Sequence, residues 1–323
     1  MGHKNKKERK MKDSLVITLF NILVLLIAPF IVLGIIKKTK AFWAGRKGVS
    51  IWQPVWDFTR LFKKDQVIST TTSWVFRFAP IVVFATTMVA GLFAPMLGGN
   101  SVINIEGAFI IFSYILGLGK FFALISAMDT GSSFEGMGAS REACFTTIIE
   151  PAFFIMLASI MALTGNYTFG CLGMILEKAG SFGILIAVLA VLAMFIMLVT
   201  ECSRVPVDDP TTHLELTMIH EVMILDNSGQ DLAVLTWSAG IKMVILESII
   251  ANFILPASLV STYGLGWTAL AFLVVIGLIA FLIGTVESAI ARLRMSHVFE
   301  FIFAMSSFAL IILSLVAIKI YGN

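Results

Sequence analysis

Glu201, Arg204, Asp208 and Asp209 stand together in the sequence, broken by Pro206 and Pro210 and followed by His213, Glu215, His220 and Glu221. Carboxylates beside an arginine and partly out of water can take widely separated proton affinities, which suits a chain of proton-exchange sites. The same charges could form an ion-pair network that fixes a re-entrant loop, and the segment alone weighs the two readings evenly. Spacing predicts the backbone. Glu201 and Arg204, three apart, share a helical face if the helix continues that far. Pro206 then stops it, because the residue before a proline avoids helix. Asp209 as N-cap with Pro210 at the first helical position starts a short helix carrying His213, Glu215, His220 and Glu221. His213 and His220 then lie on one face. No H-E-x-x-H and no third ligand at clear spacing accompany them, so polar contacts rather than a metal are expected.

Further charges lie inside apolar runs. Glu150 precedes Pro151, which removes the hydrogen bond to the Thr147 carbonyl and bends the helix, so a carboxylate at the bend can meet water. An ordinary kink is the plainer alternative. Lys120, Lys242, Glu247 and Glu287 add intramembrane charge. Lys242 and Glu247, five apart, do not face each other, so each needs a partner elsewhere. Glu287 and Arg294, seven apart, are expected to meet in a structural salt bridge. Arg77 and Asp129 are expected to snorkel at helix ends.

The elements that hold these residues follow from composition. The 323-residue chain is 58% hydrophobic and only 13% charged, against about 25% charged for a soluble domain. Hydrocarbon penalises ions, so the retained charges need a function or a partner. The apolar runs predict an all-α integral membrane protein with eight spanning helices at about 14–36, 73–96, 106–128, 142–164, 181–202, 231–255, 267–287 and 298–320; about 20 apolar residues cross a bilayer. Residues 1–13 form a basic tail and 14–323 one membrane domain with a charged loop at 203–230. After the first helix, Trp52, Val55, Trp56, Phe58, Thr59 and Phe62 predict an amphipathic segment along the interface. The stretch 129–142 is glycine-rich and predicts a flexible turn capped by Ser140. Cys144, Cys171 and Cys202 have no iron–sulfur or zinc spacing. The loops after helices one, three, five and seven carry twelve Lys or Arg, against one in the others, which puts the former in the cytoplasm. The tail, with six basic residues, dissents; it reads as touching anionic lipid or solvent, and no nucleic-acid partner is expected.

Four segments resemble the proton-translocating NADH dehydrogenase subunit 1 family, most closely its branch in membrane-bound, energy-converting [NiFe] hydrogenases and formate hydrogenlyase. They are Gly45-Arg46-Lys47-Gly48 with Gln53-Pro54-Val55-Trp56-Asp57, then Gly138-Ala139-Ser140-Arg141-Glu142, then Glu201-x-x-Arg204-x-Pro206-x-Asp208, and finally Glu287 to Arg294. The resemblance implies a bundle docked under a peripheral arm that holds the iron–sulfur clusters and nickel–iron centre, with no cofactor in this chain. It implies cytoplasmic-membrane location with the arm on the cytoplasmic side. The implied partners are hydrogenase large and small subunits, an iron–sulfur subunit, antiporter-like membrane subunits and lipid. It carries coupling roles onto Glu150, Glu201, Arg204, Asp208 and Glu215. Glu221, His213, Lys242 and Glu247 join them as candidate coupling residues. Arg46, Gln53, Pro54, Asp57, Arg141, Arg292 and Arg294 are the candidate docking residues.

One departure matters. Quinone-reducing relatives carry Pro-Glu-Ala-Glu-x-Glu-Leu where this chain has Pro210-Thr211-Thr212-His213-Leu214-Glu215-Leu216. The expected function is therefore a non-catalytic hydrogenase membrane subunit that couples redox chemistry to proton or sodium movement. The alternatives are a quinone-binding complex I-type subunit, a stand-alone transporter and a passive anchor. A lipid-accessible cavity between helices one and six with bound quinone would support the quinone alternative.

Overall fold

The computed structural model describes residues 2–99, 101–178, 180–209 and 218–321, with the side chains of 2–14, 178 and 181 outside that description. Every regular element among them is helical. In chain order these are α1 (Gly2–Trp43), α2 (Gln53–Phe62), α3 (Trp74–Phe93), α4 (Ala108–Asp129), α5 (Ser133–Thr164), α6 (Cys171–Lys178), α7 (Gly180–Glu201), α8 (His220–Met223), α9 (Gly229–Ile254), α10 (Leu259–Tyr263), α11 (Leu265–Ala289) and α12 (Met295–Tyr321). Eight are long and apolar enough to cross a membrane: α1 from Leu15, α3, α4, α5, α7 from Phe182, α9, α11 and α12. Their number and order agree with the hydropathy reading, because a backbone crossing lipid must satisfy its hydrogen bonds within the segment.

α9 is the central post. Its most apolar window is 67% buried, against 17% for α4. It packs on α1, α3, α7 and α11, while α5 and α12 pack together at the side of α7. Close approach uses small residues, as membrane helix contacts do: Gly240 of α9 faces Pro29 of α1, and Gly284 of α11 faces Thr39 of α1. Hydroxyls in the spans turn inward onto their own helices. Ser159 Oγ donates to the Ile155 carbonyl, Thr200 Oγ1 to Ile196 and Ser238 Oγ to Val234, so these polar groups reach lipid depth satisfied.

α2 lies where the interfacial segment was predicted. Pro54 is buried, while Trp52 and Trp56 are exposed. Phe58 meets Phe30 of α1 and Trp237 of α9 at ring distances of 5.5 and 5.2 Å.

Four expectations change. α1 runs on through Lys37, Lys38 and Lys40 to Trp43 rather than ending at 36. Lysine is a good helix former, and Lys37 and Lys40 find partners on α2 and α11. The α1 backbone is also helical from Gly2, through the stretch read as a basic tail. The glycine-rich stretch is mostly helix: α5 starts at Ser133, and Gly138 sits inside it against the Ile219 carbonyl and the Val222 side chain. A contact from a distant segment selects the small residue there, and Ser140 caps nothing; its Oγ donates to the Met137 carbonyl. The short helix expected from Pro210 does not run unbroken to Glu221, because Met218 and Ile219 are not helical and α8 begins at His220. Residues 210–217, with His213 and Glu215, lie outside the described residues.

Candidate functional site

α7 ends at Glu201. Ser203 then turns into the left-handed region at φ 48°, and the chain reverses through Arg204 to Asp208, where the Val207 and Asp208 N–H groups donate to the Arg204 carbonyl. This turn separates Glu201 from Arg204, which therefore do not share the helical face expected of them. Each joins a different cluster.

Glu201, with its side chain 4% exposed, is clamped by two lysines. Lys120 of α4 lies 2.5 Å from Oε1 and Lys242 of α9 lies 2.6 Å from Oε2. Lys120 also donates to Thr146 Oγ1 of α5 at 3.0 Å. Lys242 thus has its partner on α7, not on its own helix. Glu142, buried on α5, feels the charges of Lys120, Lys242, Glu201 and Asp208. Glu150, half-buried beside Pro151, feels those of Lys120, Glu201 and Lys242. A cavity of about 80 Å³ touches Lys120, Glu142, Glu201, His220, Asn227 and Lys242. One water needs about 10–15 Å³, so the space has room for a few waters.

The second cluster centres on Glu287, whose side chain is fully buried. Arg204 Nη1 is 3.4 Å from its Oε1, and Lys40 Nζ is 3.0 Å from its Oε2. The Lys40 contact is an ion pair without hydrogen-bond alignment. Arg294 is exposed and does not meet Glu287 as the seven-residue spacing suggested. Two cations from α1 and the turn after α7 have already filled that carboxylate.

Asp208 is fully buried and forms the third cluster. Arg292 Nη2 lies 3.0 Å away, and the N–H groups of Ile219, His220 and Asp209 donate to its oxygens at 2.9, 3.4 and 2.9 Å. This carboxylate joins the turn after α7, the segment leading into α8 and the α11–α12 connection. Arg141 donates to the Met218 carbonyl at 2.9 Å, tying α5 to the same place. Gln53 and Asp57 bond each other across one turn of α2 at 2.8 Å, and Asp57 pairs with Lys37 at 3.4 Å. Arg46 is exposed.

Glu247 stands apart. It is 0% exposed, and neither oxygen has a hydrogen-bond partner; the charge it feels is Arg204. Asp129 accepts from the Ser73 N–H and Oγ at 2.7 and 2.9 Å rather than snorkelling, while Arg77 is exposed.

A larger cavity, about 530 Å³, lies between α1, α2 and α9. Its lining mixes apolar residues, among them Phe30, Leu33, Phe58, Leu61 and Trp237, with the charged Lys37, Lys40, Asp57, Arg204, Glu221 and Glu287. The Trp237 Nε1–H is buried there without a partner.

The ion-pair clusters bring together Glu201, Lys242, Arg204, Asp208 and Arg292 from among the residues singled out in the sequence, with Glu150 in reach and Glu221 at the second cavity. Sequence reasoning missed site roles for Lys120, Glu142, Glu287 and Lys40. The available signal was charge within an apolar helix: Lys120 and Glu287 carried it, whereas Lys40 and Glu142 were hidden at misplaced helix ends.

The comparisons with known proteins agree with this architecture. Hydrogenase-4 component C of Escherichia coli K12 is 30% identical over 235 residues, covering 73% of each chain. Formate hydrogenlyase subunit 4 of the same organism is 26% identical over 287 residues, 87% of this chain and 92% of the relative. NADH-ubiquinone oxidoreductase chain 1 of Triticum aestivum is 26% identical over 194 residues, 58% of this chain and 59% of that one. A chain in the structure of the membrane-bound sulfane sulfur reductase, an archaeal respiratory membrane complex, superposes with a TM-score of 0.76 at 20% identity, over 94% of this chain and 98% of that chain; at that identity the likeness speaks for the fold. A family model described as NADH dehydrogenase matches residues 15–319, and the chain belongs to that family.

Proposed function

We propose that this chain is a non-catalytic membrane subunit of a multi-subunit hydrogenase of the formate hydrogenlyase or energy-converting type. It anchors a peripheral arm on the cytoplasmic side of the cell membrane and couples the arm's redox chemistry to proton or sodium movement. The iron–sulfur clusters and the nickel–iron centre belong to partner subunits. One observation carries the reading: Glu201 is held between Lys120 and Lys242 at 2.5 and 2.6 Å beside a water-sized cavity, inside the span region. An enclosed pair and a half is poised for charge movement, because removing one charge from such a cluster costs about 3–5 kcal/mol and is felt by its neighbours. Asp208 and Arg292 form a second enclosed pair next to the face that would meet the arm. In this reading a change in the arm alters the loop from Arg204 to Glu221, and the disturbance reaches Glu201 and then Glu150.

The test is Glu201→Gln in the complex purified through a tag on this chain and reconstituted in vesicles. Hydrogen turnover with artificial donors stays within about twofold, while coupled ion movement falls about tenfold, as a cluster worth ~1.4 kcal/mol or more predicts. Undiminished pumping would falsify the relay.

The 530 Å³ cavity favours a second reading, a quinone-binding subunit of a complex I-type oxidoreductase. Its mixed apolar and charged lining suits an amphiphile, and such pockets run to about 300–1,000 Å³. Thr211 and His213, where quinone-reducing relatives carry acids, weigh against it. Photolabelling with an azidoquinone decides: labelling of α1 or α9 that excess quinone prevents supports the second reading.

A further inference from the structure

One cavity, with room for a few waters, is lined both by the Lys120–Glu201–Lys242 cluster and by His220 and Asn227. His220 is partly exposed at the start of α8, while Asn227 is 6% exposed and its Oδ1 has no hydrogen-bond partner. A buried amide oxygen on the wall of a space large enough for water is the usual place for an ordered water. An imidazole can take a proton on one ring nitrogen and release one from the other.

We propose that His220 is the proton inlet of the Lys120–Glu201–Lys242 site, passing protons from the aqueous face through water held at Asn227. This rests on the proton-coupling function proposed above and names its point of entry. The transfer balances: one ring nitrogen accepts a proton from solvent, the other gives its proton to a cavity water, and that water's chain delivers one proton to the Glu201 cluster. The ring ends neutral, in its other tautomer.

The surroundings suit this role. His220 faces Glu221 on its own turn, Asp208 and Glu201 from the segment around the end of α7, and Lys242 of α9. Glu142 of α5 and Lys120 of α4 line the same cavity, and Arg141 of α5 binds the carbonyl of Met218 two residues earlier. Burial holds the imidazole below its ordinary 6.5, with Glu221 partly offsetting it, so at neutral pH the ring is uncharged and returns each proton promptly.

The experiment uses the intact complex in vesicles, with proton movement followed by a pH-sensitive dye between pH 5.5 and 8. His220→Ala and His220→Gln should each slow proton movement about tenfold while leaving artificial-donor hydrogen turnover unchanged. Added imidazole should restore His220→Ala, which a purely structural role for the ring would not allow. Asn227→Leu, which fills the water position, should slow proton movement as well. If His220→Ala fails to assemble, His220→Gln, polar and close in size, carries the test. Wild-type pumping in His220→Gln, slowed pumping in His220→Ala that imidazole leaves unchanged, or ion movement that follows sodium instead of protons would each overturn the inlet. Glu201→Gln separates the two claims. If it lowers pumping about tenfold while His220→Gln pumps normally, the coupling site stands and only the inlet fails.

Discussion

Asp208 shows how the charged residues divide the work of holding and moving charge. Its four contacts are one arginine and three backbone N–H groups, an arrangement that fixes a carboxylate in place. Glu201, by contrast, is held by side chains alone, two flexible lysines, which can reorganise. Arg292→Ala should therefore act on structure. It leaves a buried carboxylate with its backbone donors but without its paired arginine, costing about 3 kcal/mol, and should lower the amount of assembled complex in the membrane and the Tm of what remains. His220 supplies a pH signature of its own. Its folded-state proton affinity is depressed by burial from the ordinary 6.5, so the unfolded chain binds more protons once pH falls below 6.5. Stability then drops with falling pH until the folded-state value is passed. In detergent, the thermal midpoint of the wild type should fall between pH 7 and pH 5.5 more than that of His220→Gln; equal slopes would remove the histidine from the account.

At the scale of elements, α8 and α2 are short helices held by tertiary contacts, since single turns and ten-residue helices are marginal alone. α8 is seated on α5 at Gly138, where an added Cβ would meet the Ile219 carbonyl and Val222. Gly138→Val should displace α8 and with it His220, costing about 1–3 kcal/mol and slowing proton movement more than hydrogen turnover. α2 is seated on α1 in the same manner, since a Cβ at Gly34 would overlap the Ile51 carbonyl. Gly34→Ala should open the larger cavity, read out as faster labelling of Trp237-side cysteines placed at Leu33 or Leu61. These seats explain why the stretch 129–142 looked like a loop: glycines that permit close helix contact and glycines that permit turns are the same letters in a sequence.

For the whole molecule, ion pairs draw the C-terminal ends of α1, α7 and α11 to one face. Gln66 bonds Asp231 there, bringing the segment after α2 to the start of α9. On the opposite side, Tyr167 accepts from Gly107 N–H and Glu177 accepts from Ser258 N–H. The charged face, with exposed Arg46 and Arg294, is the surface for a peripheral arm in the proposed function. Arg46→Glu together with Arg294→Glu should lower co-purification of peripheral subunits about tenfold, the size expected of lost rim charges acting together, with this chain's abundance unchanged. Full recovery of the partners would move the docking surface elsewhere.

The eight spans, the interfacial segment and the family motifs were legible in the amino-acid order. Lipid imposes its demands locally: a run of apolar residues of sufficient length must be a helix, whatever it packs against. Which charge meets which was settled by tertiary structure. Lys120 and Glu201 are 81 residues apart and Arg204 and Glu287 are 83 apart, so their pairing depends on how the helices cross, for which periodicity along one helix holds no information. Nearest-spacing arguments paired Glu201 with Arg204 and Glu287 with Arg294; the turn at Ser203 and the burial of Glu287 against α1 and the turn after α7 assigned all four differently. A buried ion is stabilised only by a counter-ion at contact distance, and contact distance across a bundle is a property of the fold.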